Sequence, residues 1–209
     1  VKVPLTPPTT FVTDPSHLRE YSGSLWRVYR SAGAHVGAWD ALRHHGPVPG
    51  MRFDPHPPPP GHHPTVGVLC AATDVVTAIG ETYQRRRVVD RVQNAPRLVG
   101  WRPSRPLTLL DLTREWPVRN GAAASLQMGP KRATQAWARA IEDRLGSIDG
   151  LWHLSAITGN PIATLFSRVE REPAFPPRPS FHTALSDVTA DAVVLVAARR
   201  LGFAVLGNS

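Results

Sequence analysis

Short apolar runs separated by proline-rich segments make up most of this chain. SLWRVYR (residues 24–30) alternates with the period of a half-buried strand. Leu25, Arg27 and Tyr29 share one face, and Trp26, Val28 and Arg30 the other. VGVLCAA (66–72) is a continuous apolar run of buried-strand length. Thr73 and Asp74 then offer an N-cap, and VVTAIGETYQRR continues with helical spacing, its stripe formed by Val75, Val76, Ile79 and Tyr83. Glu81 lies beside that stripe, next to Thr77 and Ala78. RLVG (97–100) and LTLLDL (107–112) read as strands. KRATQAWARAIEDRL (131–145) reads as a helix that buries Trp137, Ala140 and Ile141 and stops at Gly146. GLWHLS (150–155) and IATLF (162–166) flank the turn TGNP. DVTADAVVLVAARRL (187–201) is a last helix, or one that runs into a strand at GFAVL.

Strands and helices do not alternate regularly, which favours α+β over a doubly wound sheet. The prolines are clustered. Residues 4–15 read as an extended arm, so a Pro-rich N-terminal segment over 1–20 and one domain over 21–209 are expected. Residues 47–64 and 173–179 read as loops. A chain of 209 residues can bury a core without disulfide or metal staples. The longest apolar stretch, around Ala192–Ala198, is too short to span a bilayer, and VKVPLTPPTTF lacks the apolar run of a signal peptide. A single cysteine, Cys70, excludes an internal disulfide and fits a reducing, cytoplasmic setting.

Net charge is +8, and only Lys2 and Lys131 of the 24 basic residues are lysines. Arginine grips phosphates through its fork, so an anionic partner is plausible. Skewed genomic composition explains the same excess equally well. RRR at 85–87 and Arg199–Arg200 raise a non-enzymatic nucleic-acid-binding module, but no helix-turn-helix, zinc-finger or RNA-recognition signature accompanies them. Walker, Rossmann, nucleophile-elbow and zinc-protease motifs are absent. His44, His45, His56, His62 and His63 cluster among prolines, which reads as an exposed loop with no metal site, since ligand spacing is missing. A strand cysteine with no evident base nearby reads as an inert buried thiol.

Three residues stand out from their surroundings. Arg27 interrupts an apolar strand, Glu81 lies within a helix after a buried strand, and Ser155 ends another strand before Gly159–Asn160. Their contexts, in order, are Leu25-Trp26-Arg27-Val28-Tyr29, Gly50-Met51-Arg52-Phe53-Asp54-Pro55, GVLCAATDVVTAIGE ending at Glu81, Leu107 to Thr113, Asp149-Gly150 through Ser155, and Ala163 to Phe166. This ordered set resembles the RES-domain family, named for its Arg, Glu and Ser, over about residues 24–206.

The resemblance implies an ADP-ribosyltransferase-like fold, a twisted split β-sheet with flanking helices. It also implies a bacterial toxin neutralised by an Xre-like antitoxin. Such toxins consume NAD⁺ by phosphorolysis or hydrolysis of the nicotinamide–ribose bond, the chemistry of an ADP-ribosyl-transferring glycosyltransferase. NAD⁺ is then substrate and inorganic phosphate a co-substrate, with no true cofactor. Nucleic acid is reached only through the antitoxin, a membrane plays no part, and a homodimer is compatible with the family. Transfer of ADP-ribose to a protein is the alternative that the same residues would serve.

In this reading Arg27, Glu81 and Ser155 are catalytic. Arg27, Arg52, Tyr29, Cys70, His153 and Ser155 bind substrate. Arg27 and Arg52 would hold the pyrophosphate, Glu81 would face the developing oxocarbenium charge, and Ser155 would bond a phosphate or the nicotinamide amide. Cys70 and His153 stand where the family usually carries tyrosines, leaving Tyr29 or Trp152 as the aromatic stand-in.

Overall fold

The computed structural model describes residues 3–207. In chain order the strands are β1 (Leu18–Tyr21), β2 (Leu25–Arg30), β3 (His45–Gly46), β4 (Gly61–His62) and β5 (Val68–Ala72). Helix α1 (Val75–Tyr83) follows, then β6 (Val88–Asp90), β7 (Pro96–Trp101) and β8 (Leu107–Asp111). Helices α2 (Trp116–Arg119) and α3 (Lys131–Arg144) lead to β9 (Gly150–Leu154) and β10 (Pro161–Phe166). The chain ends with α4 (Arg168–Arg171), β11 (Phe181–Ala184), α5 (Asp191–Leu201) and β12 (Ala204–Leu206). The fold is α+β, as the irregular alternation of elements predicts.

Eight strands form one sheet in the order β1-β8-β9-β10-β5-β2-β7-β11. Within this sheet only β8 and β9 run parallel. One residue pair, Trp26 opposite Ala72, joins the five-stranded half to the three-stranded half. Strands β2 and β7 pair along their whole length, so the sheet splits between β2 and β5. One face packs Leu25, Tyr29, Leu69, Ala71, Trp101 and Trp152 beneath irregular segments carrying Trp39 and Phe175. On the other face α3 buries Trp137 and Ile141 against Leu110, Leu151 and Phe166. Helices α1 and α5 cover Trp26, Val28 and Leu98 in the smaller half.

Three expectations change. The last residues of the arm expected over 1–20 belong to the sheet, because Leu18–Tyr21 pair with β8. The arm itself straps the helices: Phe11 lies 5.1 Å from the Trp116 ring, Trp137 Nε1 donates to Pro4 O, and Asn120 bonds both N–H and C=O of Val12. The histidine-rich loop is not wholly exposed. Residues 49–51, 58–60, 62 and 64 are exposed, while Phe53, Asp54, Pro55 and His56 are buried. Proline density gave the wrong sign there, because Asp54 satisfies this backbone internally.

No helix among the described residues is long and apolar enough to cross a membrane.

Candidate active site

The carboxylate is fixed by the way β5 hands the chain to α1. Asp74 caps the helix by accepting from the N–H and hydroxyl of Thr77. The same cluster grips the turn after β9: Thr77 Oγ1 lies 2.8 Å from Thr158 Oγ1, and Asn160 Nδ2 donates to Asp74 at 3.0 Å. Gly80 faces this turn, where a Cβ would sit 3.3 Å from Ile157 Cγ2, so a bare backbone eases the approach. The turn is thereby held one helical step from Glu81.

Ser155 Oγ donates to Glu81 Oε1 at 2.6 Å, and Gln84 Nε2 donates to Oε2 at 3.0 Å. The serine oxygen accepts from the N–H groups of Ile157 and Thr158. Its hydroxyl is therefore committed to the protein, and the residue is 1% exposed. In this structure Ser155 positions Glu81 instead of presenting a free hydroxyl.

Beside them, β5, β10 and β9 align a polar row. Cys70 stands opposite Thr164, with Sγ 3.5 Å from Oγ1. Thr164 Oγ1 lies 2.8 Å from His153 Nε2, and the His153 ring is 4.8 Å from Phe53. Burial lowers the His153 pKa to about 4, with Arg52 opposing protonation as well, so its imidazole is neutral at pH 7. Burial also pushes the Cys70 thiol up. It is a neutral thiol, as its strand context implies.

Arg27 sits where β2 leaves β5. Burial pulls its pKa down to about 10, and the nearby groups acting on it are Cys70, Tyr29 and Asp40. Its Nη1 is buried with no hydrogen-bond partner, and the same holds for Nε of Arg52. Arg27 and Glu81 form no ion pair among the described residues. Both charges act on the Cys70 thiol, Glu81 raising its pKa and Arg27 lowering it. Arg52 precedes Phe53, whose ring packs on His153 in that row, and its charge opposes protonation of the imidazole.

Asp54 holds the loop that delivers Arg52. It accepts from Arg43, from the N–H of Val48 and from the N–H of His56, and lies 2.5 Å from His56 Nδ1. These bonds and Arg43 outweigh burial and hold its carboxyl down at about 2. From α3, Gln135 Nε2 donates to the carbonyls of Val48 and Met51.

The other substrate-binding expectations divide. Tyr29 is buried with its hydroxyl 2.7 Å from His182 Nε2, and Arg27 lies 5.9 Å over its ring, so it backs the arginine. Trp152 lies on the opposite face from His153, packed against Tyr21 and Arg19, and cannot replace the missing tyrosines. Trp26 was not singled out from the sequence, yet it packs beside Cys70, Ala72 and Ala78. Gly100 permits this, since a Cβ there would lie 2.5 Å from the indole. The signal was present in the aromatic-Arg-aliphatic run, but alternation could not say which neighbouring strand the ring would cover. Thr164 was missed because nothing local marks a strand threonine as a bridge.

The RES domain family model matches residues 24–196. The chain belongs to the RES domain family. Comparison with curated proteins gave no match. Among solved structures, a chain of the crystal structure of the M. tuberculosis MbcT–MbcA toxin–antitoxin complex is similar at 17% identity, with a TM-score of 0.55 over 88% of this chain and 91% of that one. This likeness supports the RES-type twisted, split sheet with flanking helices.

Proposed function

We propose that this RES protein is a toxin that consumes NAD⁺ by breaking its nicotinamide–ribose bond, and that an antitoxin protein neutralises it. The observation that carries the reading is the pair of guanidinium groups, Arg27 and Arg52, each with a buried unpartnered N–H, whose chain neighbours Trp26 and Phe53 pack on the strands that carry Cys70 and His153. A buried unsatisfied donor costs about 1–3 kcal/mol, a cost that an anionic ligand would relieve. Two such donors suit a pyrophosphate. The similar fold in a toxin–antitoxin complex supports the biological setting.

In the proposed step an oxygen of inorganic phosphate attacks C1″ of the nicotinamide ribose. The C–N bonding pair stays on the nicotinamide nitrogen and cancels its positive charge, so no general acid is needed. The products are nicotinamide and ADP-ribose-1″-phosphate. Water as the nucleophile gives ADP-ribose and releases a proton. Glu81, held by Ser155 and Gln84, faces the oxocarbenium charge that builds at C1″. The neutral His153 and Thr164 supply hydrogen bonds without adding charge, and Trp26 offers the aromatic surface that Cys70 lacks.

Incubation of the purified protein with NAD⁺ should release nicotinamide, faster with added phosphate. Glu81→Gln should lower turnover about 10²-fold, and Arg27→Ala should raise KM. Expression in a bacterial host should arrest growth, and Glu81→Gln should abolish the arrest. A folded protein that leaves NAD⁺ intact, or full turnover in Glu81→Gln, would remove the reading. Label transferred to protein instead of small products would redirect it to ADP-ribosyl transfer.

A further inference from the structure

Strand β9 runs on past the end of β8. Their parallel pairing stops at Asp111 opposite Trp152, and Leu112 N–H adds one more bond, to Trp152 O. Leu154, the last residue of β9, lies beyond that pairing, and a side chain meets its N–H. Gln127 Oε1 accepts from Leu154 N–H at 2.7 Å. The 3-10 turn that carries Gln127, Ala124–Met128, is pinned by Leu126, which is fully buried in the core beneath α3.

A backbone N–H only donates, so this bond fixes which end of the amide faces β9. Nε2 is left pointing away from the strand with two N–H donors. It makes no hydrogen bond among the described residues, and unlike the unpartnered arginine atoms it is open to a ligand. Its surroundings belong to the candidate site. His153 of the polar row precedes Leu154, and Ser155, which holds Glu81, follows it. The loop that delivers Arg52 rests on Gln135, early in the helix that follows this turn. Helix α1 packs over β2 and β5, whereas Gln127 comes in from the β8 side. Glu81 and Gln127 therefore approach the row Cys70, Thr164, His153 from opposite ends.

We propose that Gln127 is a ligand-binding residue of this site, its Nε2 donating to a phosphate oxygen. For the identity of the ligand the inference rests on the proposed NAD⁺ reading. The unsatisfied groups on this side are all donors: Gln127 Nε2 on the turn and Arg52 Nε on the loop. An oxyanion, with several lone pairs, accepts from both. The amide adds a directed hydrogen bond without adding charge, so it orients a phosphate that the arginines attract. The pyrophosphate of the dinucleotide and the attacking inorganic phosphate share this chemistry.

Gln127→Glu separates ligand contact from support of β9. The glutamate keeps an oxygen for Leu154 N–H and replaces the NH₂ by an oxygen that repels phosphate. The thermal melt should move by less than about 2 °C. Calorimetric titration of the full chain with inorganic pyrophosphate and with orthophosphate should show binding of at least one weakened about tenfold or more. A raised KM for NAD⁺ assigns the contact to the pyrophosphate, and a raised KM for phosphate assigns it to the nucleophile. In the unsubstituted chain the Gln127 side-chain amide signal in the nitrogen–proton NMR spectrum should shift on titration with the same anion, a readout that needs no variant to fold. An unmoved signal, or Gln127→Glu binding both anions as tightly as the parent with both KM values unchanged, would overturn the proposal. NAD⁺ turnover beside an unmoved signal removes Gln127 and leaves the NAD⁺ reading. A shifting signal in a chain that leaves NAD⁺ intact does the reverse.

Discussion

Replacing Ser155 by alanine tests the joint on which the candidate site is built. The side chain is nearly inaccessible and makes three hydrogen bonds: one donated to the Glu81 carboxylate, two accepted from Ile157 and Thr158 N–H. A hydrogen bond to a charged group contributes about 1.5–3 kcal/mol. The two N–H groups lie in a turn whose Ile157 is exposed, so water recovers part of their loss. Ser155→Ala should therefore cost about 2–4 kcal/mol. With a urea slope of about 2 kcal/mol/M, the unfolding midpoint should fall by about 1–2 M. A cycle with Glu81→Ala separates the joint from the turn, because only the joint is shared between the two side chains. The coupling energy should be about 1.5–3 kcal/mol. A coupling under about 0.5 kcal/mol, with Ser155→Ala no worse than a surface substitution, would refute the claim that the serine fixes the carboxylate. On the proposed reading, NAD⁺ turnover on the same proteins should fall in Ser155→Ala while KM changes less, since the serine hydroxyl is committed to Glu81.

Three further outcomes are expected. His153 titrates near 4 in the fold and near 6.5 in the unfolded chain. Its contribution is whole above pH 6.5 and fades as pH falls towards 4, a loss of about 2 kcal/mol between pH 7 and pH 4.5 that urea titrations should show and that His153→Leu should remove. Asp54 is held at about 2, so its contribution persists above its unfolded value near 3.8 and is lost below it. Asp54→Ala should cost about 3–5 kcal/mol by urea unfolding, because Arg43 and two backbone N–H groups lose their acceptor, and should raise KM for NAD⁺ by loosening Arg52. Gly150→Ala should prevent folding or cost more than about 4 kcal/mol, because the added Cβ would lie 2.0 Å from the Thr164 carbonyl oxygen across β9 and β10. Circular dichroism and thermal melts suffice to check it.

Strands β2, β5, β7, β8, β9 and β10 and helices α1, α3 and α5 are readable from local pattern, because each presents at least one apolar face at its own period. The short strands were not. β1 is LREY and β11 is FHTA, too brief and too polar to signal a strand, and they exist because β8 and β7 offer them paired edges. Chain order also says nothing of the sheet order, in which β2 lies between β5 and β7.

What the sequence determined by itself was the set of elements, the excess of arginine, and the RES resemblance that singled out Arg27, Arg52, Glu81 and Ser155. Those follow from side-chain chemistry and spacing along one dimension. Tertiary structure alone decided that Ser155 binds Glu81, that Thr164 bridges Cys70 and His153, that Asp54 is buried, and that Gln127 meets the end of β9. Each of these is a contact between residues far apart in the chain or a burial set by packing. Local pattern cannot supply them, because the strand pairings and helix packings that bring these groups together are set by the fold as a whole.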